Sequence, residues 1–390
     1  MKIAVMGFGT VGSGVVELIE EHNKTISEKT PEKLEIGYIL DIRDFPGNKY
    51  EHLLTKDVND ILNDKEVAIV VETMGGLKPA FDFVSSALKN GKSVVTSNKE
   101  LVATKGFELM EIAKENNVNF LFEAAVGGGI PVIHPMMNCL TANKIISIDG
   151  ILNGTTNFIL NKMITDGESF DSALSEAQKM GYAEKDPTAD IEGLDAGRKL
   201  AILTSIASGI HVLPGQISTT GITSITLEDV SVADKAGFVI KLIASARLGG
   251  NNKYTCVVSP ALVSKSNPLS AVNSVMNAVV ITGDAVGDVM FYGPGAGKIQ
   301  TASAVISDVV ECARFADKDI SEHWSANDES CVNSSSEFMA KFYIACEDTP
   351  AIPCCKIDGE NAYITNDKYT FDEIYSLTKD SSVRNIMRIL

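Results

Sequence analysis

Two charged side chains four positions apart, Asp195 and Lys199, fall on a predicted apolar helix stripe. Ile191, Ile202 and Ile206 share this stripe, because these positions all follow the helical period of about 3.6 residues. Both charges are costly to bury unless each has a partner or a bound substrate. We interpret the pair as a catalytic lysine oriented by a carboxylate, and a structural buried ion pair is the alternative.

The surrounding stretch, residues 181–199 (GYAEKDPTADIEGLDAGRK), contains two further carboxylates of interest, Glu184 and Asp190. Asp190 is the predicted N-cap of the helix, which should continue to about residue 207. The stretch therefore brings several acidic groups close to one lysine at the start of a buried helix.

A second group of candidate functional residues lies at the N-terminus. A short apolar run, residues 2–6, is followed by a glycine-rich turn and then by a helical pattern up to about residue 21. The turn has the form G-x-G-x-x-G and consists of Gly7, Phe8, Gly9, Thr10, Val11 and Gly12. In this order, glycines allow the tight turn and the close approach of a pyrophosphate, which the helix N-terminus then binds. The pattern predicts dinucleotide binding, against the alternative of an ordinary strand–turn–helix unit.

The end of the second predicted strand, residues 35–42, carries residues that choose between cofactors. A carboxylate such as Asp41 would bind the ribose 2′-hydroxyl of NAD, whereas Arg43 would accept the 2′-phosphate of NADP. The sequence offers both groups, and a solvated loop position is the alternative reading of Arg43.

Further strands are predicted at residues 68–72, 93–96 and 118–122, with helical patterns between them. This alternation predicts an α/β fold with a doubly wound (Rossmann) parallel sheet, whose cofactor crevice is lined by residues 73–76, 97–99 and 123–130. Lys99 at this edge is a functional candidate, or else an ordinary first residue of a helix. The consecutive glycines 127–129 offer backbone carbonyls to a ligand or cation, or form a tight turn.

Beyond residue 135 the sequence predicts a second, α+β domain for substrate binding and dimerisation. Strand-like segments cover residues 145–152, 219–230 and 254–263, and a helix is predicted at 233–247. A glycine-rich bend, residues 283–297, precedes a helix at 301–315 that should return to the first domain. The predicted boundaries are 1–135 (completed by about 290–316), 136–289, a polar linker at 317–337, and a small appendix at 338–390.

The composition of the chain argues against several classes of protein. The chain has 390 residues, 45% of them hydrophobic, and a formal net charge of −17, which argues against nucleic-acid binding. No signal peptide or membrane span is predicted, and seven cysteines without metal-site spacing favour reduced thiols in the cytoplasm. The five histidines share no spacing, so none is assigned to chemistry.

Several motifs in order resemble the homoserine dehydrogenase family. They are the glycine turn, SNK at 97–99, EAAVGGGIPVI, NGTTNFIL, the 181–199 stretch and GDAVGDVMFYGPGAGKIQTASAV, and together they span about residues 1–315. The resemblance implies reversible reduction of L-aspartate 4-semialdehyde to L-homoserine, in threonine and methionine biosynthesis, by a homodimer. We expect NADP(H) as the preferred cofactor and NAD(H) as the alternative.

The resemblance also implies residue roles. Lys199 matches the proton donor, Asp195 its orienting partner and Lys99 a second active-site lysine. Glu184 matches the carboxylate that binds the substrate's amino group, with Asp190 nearby. The positions that match cofactor contacts are Gly7, Phe8, Gly9, Thr10, Val11, Gly12, Arg43, Thr73, Ser97, Lys99 and Gly297. The positions that match a sodium site are Glu123, Val126, Gly128 and Ile130.

The chemistry of aldehyde reduction is consistent with these residue roles. Reduction of an aldehyde needs a hydride donor and a group that protonates the developing alkoxide. A buried lysine can give that proton, and a cation stabilises the negative oxygen. The rival readings are another oxidoreductase with the same two-domain plan, such as an aspartate dehydrogenase, and a non-catalytic nucleotide sensor.

The C-terminal appendix resembles a shortened ACT regulatory domain. Residues 338–346 match its first strand and residues 364–390 its last helix and strand, but the first helix is missing and residues 349–355 stand in its place. Its absence speaks against an amino-acid effector site there. The sequence therefore predicts that deleting residues 338–390 leaves catalysis largely intact, and that the appendix pairs its strands with another subunit.

Overall fold

The computed structural model of the protein describes residues 1–316, 318–379 and 381–390. The chain forms two compact units. The first contains residues 1–141, 205–211 and 294–327, and the second contains residues 142–204, 212–293 and 328–390. Among the described residues, no helix is long and apolar enough to cross a membrane.

Strands and helices alternate in the first third of the chain and are mixed thereafter. The strands are β1 (Lys2–Met6), β2 (Glu35–Leu40), β3 (Leu54–Thr55), β4 (Val67–Glu72), β5 (Ser93–Thr96), β6 (Phe120–Leu121), β7 (Ile145–Ile151), β8 (Ser218–Thr219), β9 (Phe238–Leu248), β10 (Tyr254–Ser264), β11 (Met276–Gly283), β12 (Gly287–Pro294), β13 (Val332–Asn333), β14 (Lys341–Cys346), β15 (Cys354–Lys356), β16 (Ala362–Thr365) and β17 (Val383–Ile389). The helices are α1 (Thr10–Glu21), α2 (Asn23–Ser27), α3 (Val58–Asn63), α4 (Ala80–Lys89), α5 (Lys99–Glu115), α6 (Gly154–Thr165), α7 (Phe170–Lys179), α8 (Thr188–Ile191), α9 (Leu194–Ser208), α10 (Leu227–Lys235), α11 (Lys298–Arg314) and α12 (Phe371–Thr378).

The first unit is built on a six-stranded sheet in the order β3-β2-β1-β4-β5-β6, with all pairs parallel. This is the order of a doubly wound dinucleotide-binding fold, which places ligands at the carboxyl ends of the strands. The apolar faces of α1 and α11 share one buried core with β1, through Val15, Val16, Val305 and Val309. The predicted parallel α/β fold is confirmed.

The second unit is built on a mixed sheet in the order β12-β11-β7-β9-β10-β17-β14-β16-β15. Strands β9 and β10 pair antiparallel along their whole length and form its centre. Helices α6 and α10 pack on β9. The predicted α+β character of this part is also confirmed.

Two predicted elements between residues 219 and 247 are wrong. The predicted helix at 233–247 is instead the end of α10 followed by β9, because Gly237 at φ +85° ends the helix. Strand β9 lies between two neighbouring strands and is buried on both faces, so it lacks the alternation of a half-buried strand. The predicted strand at 219–230 is mostly loop and helix, because Thr226 and Asp229 form a capping box that begins α10.

Two smaller predictions also differ from the structure. Asp190 is not the N-cap of the long helix but lies inside the short helix α8, and Gly193 at φ +77° separates α8 from α9. The predicted glycine-rich bend at 283–297 contains the strand β12, whose turn is closed by Gly287 at φ +75°.

The C-terminal part differs from the predicted linker and appendix. Residues 318–327 belong to the first unit, and the described residues from 328 onward belong to the second. Asp317, the first residue of the predicted linker, lies outside the described residues, as does Asp380. Strand β13 pairs with β10, and β17 lies between β10 and β14. The strands of the appendix thus extend the sheet of their own chain.

A buried arginine secures this extension. Arg388 on β17 donates from Nε to Ser259 Oγ (2.8 Å), from Nη1 to Ser245 Oγ (2.9 Å) and from Nη2 to the carbonyl oxygen of Ile243 (2.6 Å). Its side chain is fully buried, and burial lowers its pKa to about 9. The last strand is therefore fixed in the centre of the second unit by polar contacts as well as by sheet pairing.

Candidate active site

The glycine turn after β1 has the conformation that a nucleotide-binding turn requires. Gly7 has φ +97°, and a Cβ on Gly12 would stand 1.9 Å from the carbonyl oxygen of Gly7. Only glycine fits these positions. The hydroxyl of Thr73 donates to the carbonyl oxygen of Gly7 (2.9 Å), so the residue after β4 supports the turn after β1.

A buried carboxylate that the sequence analysis missed, Glu72, supports the neighbouring loop. Its Oε1 accepts the N–H groups of Met74 (2.7 Å) and Gly75 (3.2 Å), and its Oε2 accepts the hydroxyl of Thr96 (2.6 Å). Burial raises the pKa of Glu72. Glu72 thus joins the ends of β4 and β5, where the predicted cofactor crevice lies.

The two candidate cofactor-selecting residues bind each other. Arg43 donates from Nε to Asp41 Oδ1 (3.0 Å) and from Nη2 to Oδ2 (2.8 Å), while the N–H of Phe8 donates to the same Oδ2 (2.8 Å). The Arg43 guanidinium lowers the pKa of Asp41 to about 2. Asp41 is buried and Arg43 is exposed, so a guanidinium covers the carboxylate on the solvent side.

Arg43 lines two cavities in the first unit. One of about 450 Å³ is lined by Gly7, Gly9, Asp41, Arg43 and Thr73, among others. Another of about 520 Å³ extends along Phe8, Gly9, Thr10 and Lys298. Most of the predicted cofactor residues near the glycine turn therefore border open space of the size that ligands occupy.

The remaining predicted cofactor residues lie at the ends of helices. Ser97 and Asn98 connect β5 to α5, Asn98 caps that helix by accepting the N–H of Leu101 (3.1 Å), and Lys99 is its half-buried first residue. Gly297 is the N-cap residue of α11 with φ +132°, where a Cβ would stand 2.3 Å from Gln300 Oε1. Val11 lies in the first turn of α1.

The predicted sodium residues lie in the loop after β6. The carboxylate of Glu123 is buried and accepts three N–H groups, from Val132 (2.7 Å), Ile133 (2.9 Å) and His134 (2.6 Å). The Glu123 carboxylate is therefore already hydrogen-bonded to backbone N–H groups. A Cβ on Gly127 would stand 2.3 Å from the carbonyl oxygen of Ile130, so this close approach of the backbone requires glycine. Carbonyl oxygens are suitable ligands for a hard cation.

In the second unit, Asp195 and Lys199 are buried, as the helical pattern predicts, with side chains 7% and 9% exposed. Lys199 Nζ stands 2.8 Å from Asp195 Oδ2 and donates to the carbonyl oxygen of Leu152 (2.7 Å). Leu152 directly follows β7, so the lysine is held between the first turn of α9 and the end of a strand.

Asn153, which the sequence analysis did not single out, joins the carboxylates of this cluster. Its Nδ2 donates to Asp190 Oδ1 (2.7 Å) and to Asp195 Oδ2 (3.0 Å), and its Oδ1 accepts the N–H of Thr156 to cap α6. The NGTTNFIL motif is thus the partner of the 181–199 stretch. Cap residues such as Asn153 are visible in sequence, but their tertiary partners are not.

Glu184 lies apart from this hydrogen-bonded cluster. It is exposed in the turn after α7, and only its backbone oxygen is bonded, to Gln178 Nε2 (3.1 Å), among the contacts of the described residues. Its carboxylate is available to a ligand.

Comparison with known proteins gives consistent results over the chain. Residues 7–123 match the family described as homoserine dehydrogenase, NAD binding domain, and residues 131–310 match the family described as homoserine dehydrogenase. A homoserine dehydrogenase of Synechocystis is 45% identical over 314 residues, which cover 80% of this chain and 72% of that protein.

Solved structures give the same result. A homoserine dehydrogenase from Thiobacillus denitrificans superposes with a TM-score of 0.90 at 33% identity, covering 100% of this chain and 98% of its own. A hyperthermophilic archaeal homoserine dehydrogenase in complex with NADPH superposes with a TM-score of 0.68 at 31% identity, covering 80% of this chain and 96% of its own.

Proposed function

Because this chain belongs to the homoserine dehydrogenase family, we propose that it reduces L-aspartate 4-semialdehyde to L-homoserine with NADPH as the preferred cofactor and Lys199 as the proton donor. The observation that carries the proposal is the buried Asp195–Lys199 pair held by the carbonyl oxygen of Leu152. The product would serve threonine and methionine biosynthesis in the cytoplasm.

In this mechanism the chain's own residues hold and move the proton. The bound cofactor supplies a hydride. Asp195 and the Leu152 carbonyl orient the Lys199 ammonium group, which gives a proton to the alkoxide that forms as the aldehyde is reduced. In the reverse direction the neutral amine takes the proton back. Asn153 keeps the Asp190 and Asp195 carboxylates in place.

Substrate binding is assigned to Glu184, with Asp190 nearby. An amino-acid substrate carries an ammonium group, and the exposed carboxylate of Glu184 has the charge and accessibility to bind it. Lys99, at the N-terminus of α5 in the first unit, is assigned as a second active-site lysine.

We expect Glu184→Gln to raise KM for the semialdehyde roughly 10-fold or more while changing kcat little, because charge-assisted hydrogen bonds contribute about 1.5–3 kcal/mol. Steady-state kinetics would measure both constants. Glu176→Gln on α7, which removes an ion pair with Lys162 on α6, is the matched control and should change neither. An unchanged KM in Glu184→Gln would remove Glu184 from the substrate site.

The preference for NADPH rests on the Asp41–Arg43 pair. A carboxylate alone at this strand end favours the ribose hydroxyl, but here it is neutralised by a guanidinium that is itself suited to a phosphate. NAD(H) remains the alternative cofactor, since Asp41 is present.

We expect Arg43→Ala to weaken NADPH binding roughly 10–100-fold and NADH binding much less, because it removes a charged phosphate donor and releases the Asp41 carboxylate. Titration of both cofactors by fluorescence would measure the two dissociation constants. Arg314→Ala, which removes an arginine stacked on Phe315 in the same unit, is the control. Equal losses for NADPH and NADH would show that Arg43 does not discriminate between them.

A sodium ion is a further proposed ligand. The backbone carbonyls of Glu123, Val126, Gly128 and Ile130 would hold it, because the Glu123 carboxylate is already bonded to backbone N–H groups. The ion would supply positive charge to this glycine-rich loop and stabilise negative charge near it.

A homodimer is also proposed. Large apolar side chains are exposed on strands near the β12 edge of the second unit's sheet, namely Ile146, Met290 and Tyr292. Exposed apolar patches of this kind favour association. Sedimentation equilibrium would measure the mass in solution.

The function itself is tested by purified protein given L-aspartate 4-semialdehyde with NADPH or NADH. We expect oxidation of the cofactor matched by formation of L-homoserine, faster with NADPH. Turnover with oxaloacetate and ammonium instead would favour an aspartate dehydrogenase, and cofactor binding without turnover on either substrate would favour a nucleotide sensor.

A further inference from the structure

A cluster of potential metal ligands lies in the first unit, apart from the backbone carbonyls proposed for sodium. It consists of His134, which follows the glycine-rich loop, and of Asp308 and Glu311 on α11. Because Asp308 and Glu311 are three residues apart, they lie on the same face of the helix. One nitrogen and two carboxylate oxygens of these residues all lie within 4.8 Å of one another.

The distances within the cluster suit a single small ion. His134 Nε2 stands 2.8 Å from Asp308 Oδ1 and 3.1 Å from Glu311 Oε2. Metal–ligand bonds of about 2.0–2.2 Å in octahedral or tetrahedral geometry separate neighbouring ligand atoms by roughly 2.8–3.6 Å. Modest adjustment of these side chains would therefore place all three around one metal.

The hydrogen bonding of Asp308 gives a second indication of a bound cation, independent of the distances within the cluster. Asp308 is completely buried, and its Oδ1 has no hydrogen-bond donor among the described residues. His134 Nε2 stands 2.8 Å from this oxygen and forms an ion-pair contact with it, without an aligned N–H···O hydrogen bond. A buried carboxylate oxygen without a donor is costly, and a cation bound in front of it removes that cost.

The second oxygen of Asp308 is held in place. Its Oδ2 accepts the backbone N–H of Glu123 (2.8 Å), which fixes the carboxylate plane so that Oδ1 points at His134. Such outer contacts orient the ligands of protein metal sites.

The charge of the surroundings also favours a cation. The Glu123 carboxylate stands 3.9 Å from His134 Nε2, so three carboxylates surround one imidazole. The side chains of His134 and Glu311 are 21% and 27% exposed, which gives an ion a path from solvent to the buried Asp308. A metal site requires such a path.

We propose that His134, Asp308 and Glu311 bind one divalent first-row transition ion, with Mn²⁺ or Zn²⁺ as the chemically suitable occupants. A single imidazole with two carboxylates matches the ligand preferences of these ions. The ion would join the segment after the glycine-rich loop to α11, so its binding would stabilise the folded first unit.

The test uses the full chain without an affinity tag, freed of metal by a chelator and held at constant sodium concentration. MnCl₂ is titrated while free Mn²⁺ is followed by electron paramagnetic resonance, and thermal unfolding is measured with and without Mn²⁺. Mn²⁺ is the main probe because it binds thiolates weakly and so avoids the seven free cysteines. ZnCl₂ is then added as a competitor.

Two variants change the ligands and one serves as a matched control. Glu311→Gln removes a partly exposed ligand, and His134→Arg replaces the imidazole by a cation that can itself pair with Asp308, so the fold is kept. His323→Gln is the control, because the His323 imidazole forms an ion pair with Asp319 and lies outside the proposed metal cluster.

We expect one Mn²⁺ per chain, a raised unfolding temperature, and displacement by Zn²⁺. Glu311→Gln and His134→Arg should each weaken Mn²⁺ binding at least about 10-fold, the lower range for disturbed metal sites, whereas His323→Gln should not. Absence of Mn²⁺ binding would show that the His134 imidazolium alone balances the carboxylates and would overturn the proposal. Binding that both ligand variants leave unchanged would overturn it as well.

Discussion

Deletion of residues 338–390 is expected to prevent the second unit from folding stably. Strand β17 pairs with β10, whose residues are almost all buried, and the deleted segment contributes Phe342, Ile344 and Ile374 to one buried core. Loss of each such side chain costs about 2–5 kcal/mol. The loss of several such side chains together is as large as the whole stability of a typical domain, roughly 5–15 kcal/mol. Soluble expression and thermal unfolding of the truncated chain measure the effect.

A single substitution tests whether residues 338–390 stabilise the second unit without removing them. Arg388→Ala leaves the hydroxyls of Ser245 and Ser259 and the carbonyl oxygen of Ile243 without their donor. It should lower the free energy of unfolding by about 3 kcal/mol or more. Arg384→Ala on the same strand, which removes a surface ion pair with Glu228, should cost less than about 1 kcal/mol.

The two results together decide whether the C-terminal segment is part of the second unit. A truncated chain that is soluble, unfolds at the wild-type temperature and keeps its activity would contradict this account. That outcome would restore the independent appendix that the sequence predicts.

Lys199→Ala is expected to lower kcat by roughly 10²–10⁴, the usual contribution of general acid–base catalysis, with little change in NADPH affinity. The substitution also leaves the buried Asp195 without its cation, which destabilises a fold. Circular dichroism, thermal unfolding and NADPH titration therefore accompany the kinetic measurement.

Two further variants separate catalysis from structure. The double change Asp195→Asn with Lys199→Ala removes the unpaired charge and should regain stability without regaining turnover. Lys162→Ala, which removes a surface lysine paired with Asp166 and Glu176, is the control and should keep wild-type kcat. If Lys199→Ala retained more than about half of wild-type turnover, the structural ion pair would be the better reading.

The first unit was largely predictable from sequence because its signals are local. The strand, the glycine turn and the helix follow one another directly along the chain. No residue other than glycine fits at position 12, because a Cβ on Gly12 would stand 1.9 Å from the carbonyl oxygen of Gly7. The β9 strand was not predictable in this way. Its eleven residues are almost continuously buried, and such a run resembles a buried helix as closely as a central strand.

The C-terminal error has a different cause. Polar residues at 317–336 resemble a linker in composition, yet Trp324 in this stretch is buried and stacks on His211, with ring centroids 5.4 Å apart. Which strand receives β17 depends on contacts between residues more than a hundred positions apart, such as Ser259 with Arg388. Sequence pattern alone carries no information on such pairings.

In the candidate site, too, local features were predictable from sequence and contacts between distant residues were not. The spacing of Asp195 and Lys199 reveals their common helix face from sequence alone. The contributions of Asn153 and Glu72, and the meeting of His134 with Asp308, depend on tertiary contacts. The five histidines share no spacing in the sequence, which is why none of them, His134 included, was assigned to chemistry.

Transfer of the hydride from NADPH to L-aspartate 4-semialdehyde can be followed directly with a deuterium label. NADPH carrying deuterium at both C4 positions of the nicotinamide is mixed with the protein and L-aspartate 4-semialdehyde, and the product is analysed by mass spectrometry. We expect L-homoserine with one deuterium at the carbon that was the aldehyde, formed in step with cofactor oxidation. Unlabelled homoserine, or cofactor oxidation without homoserine, would contradict it.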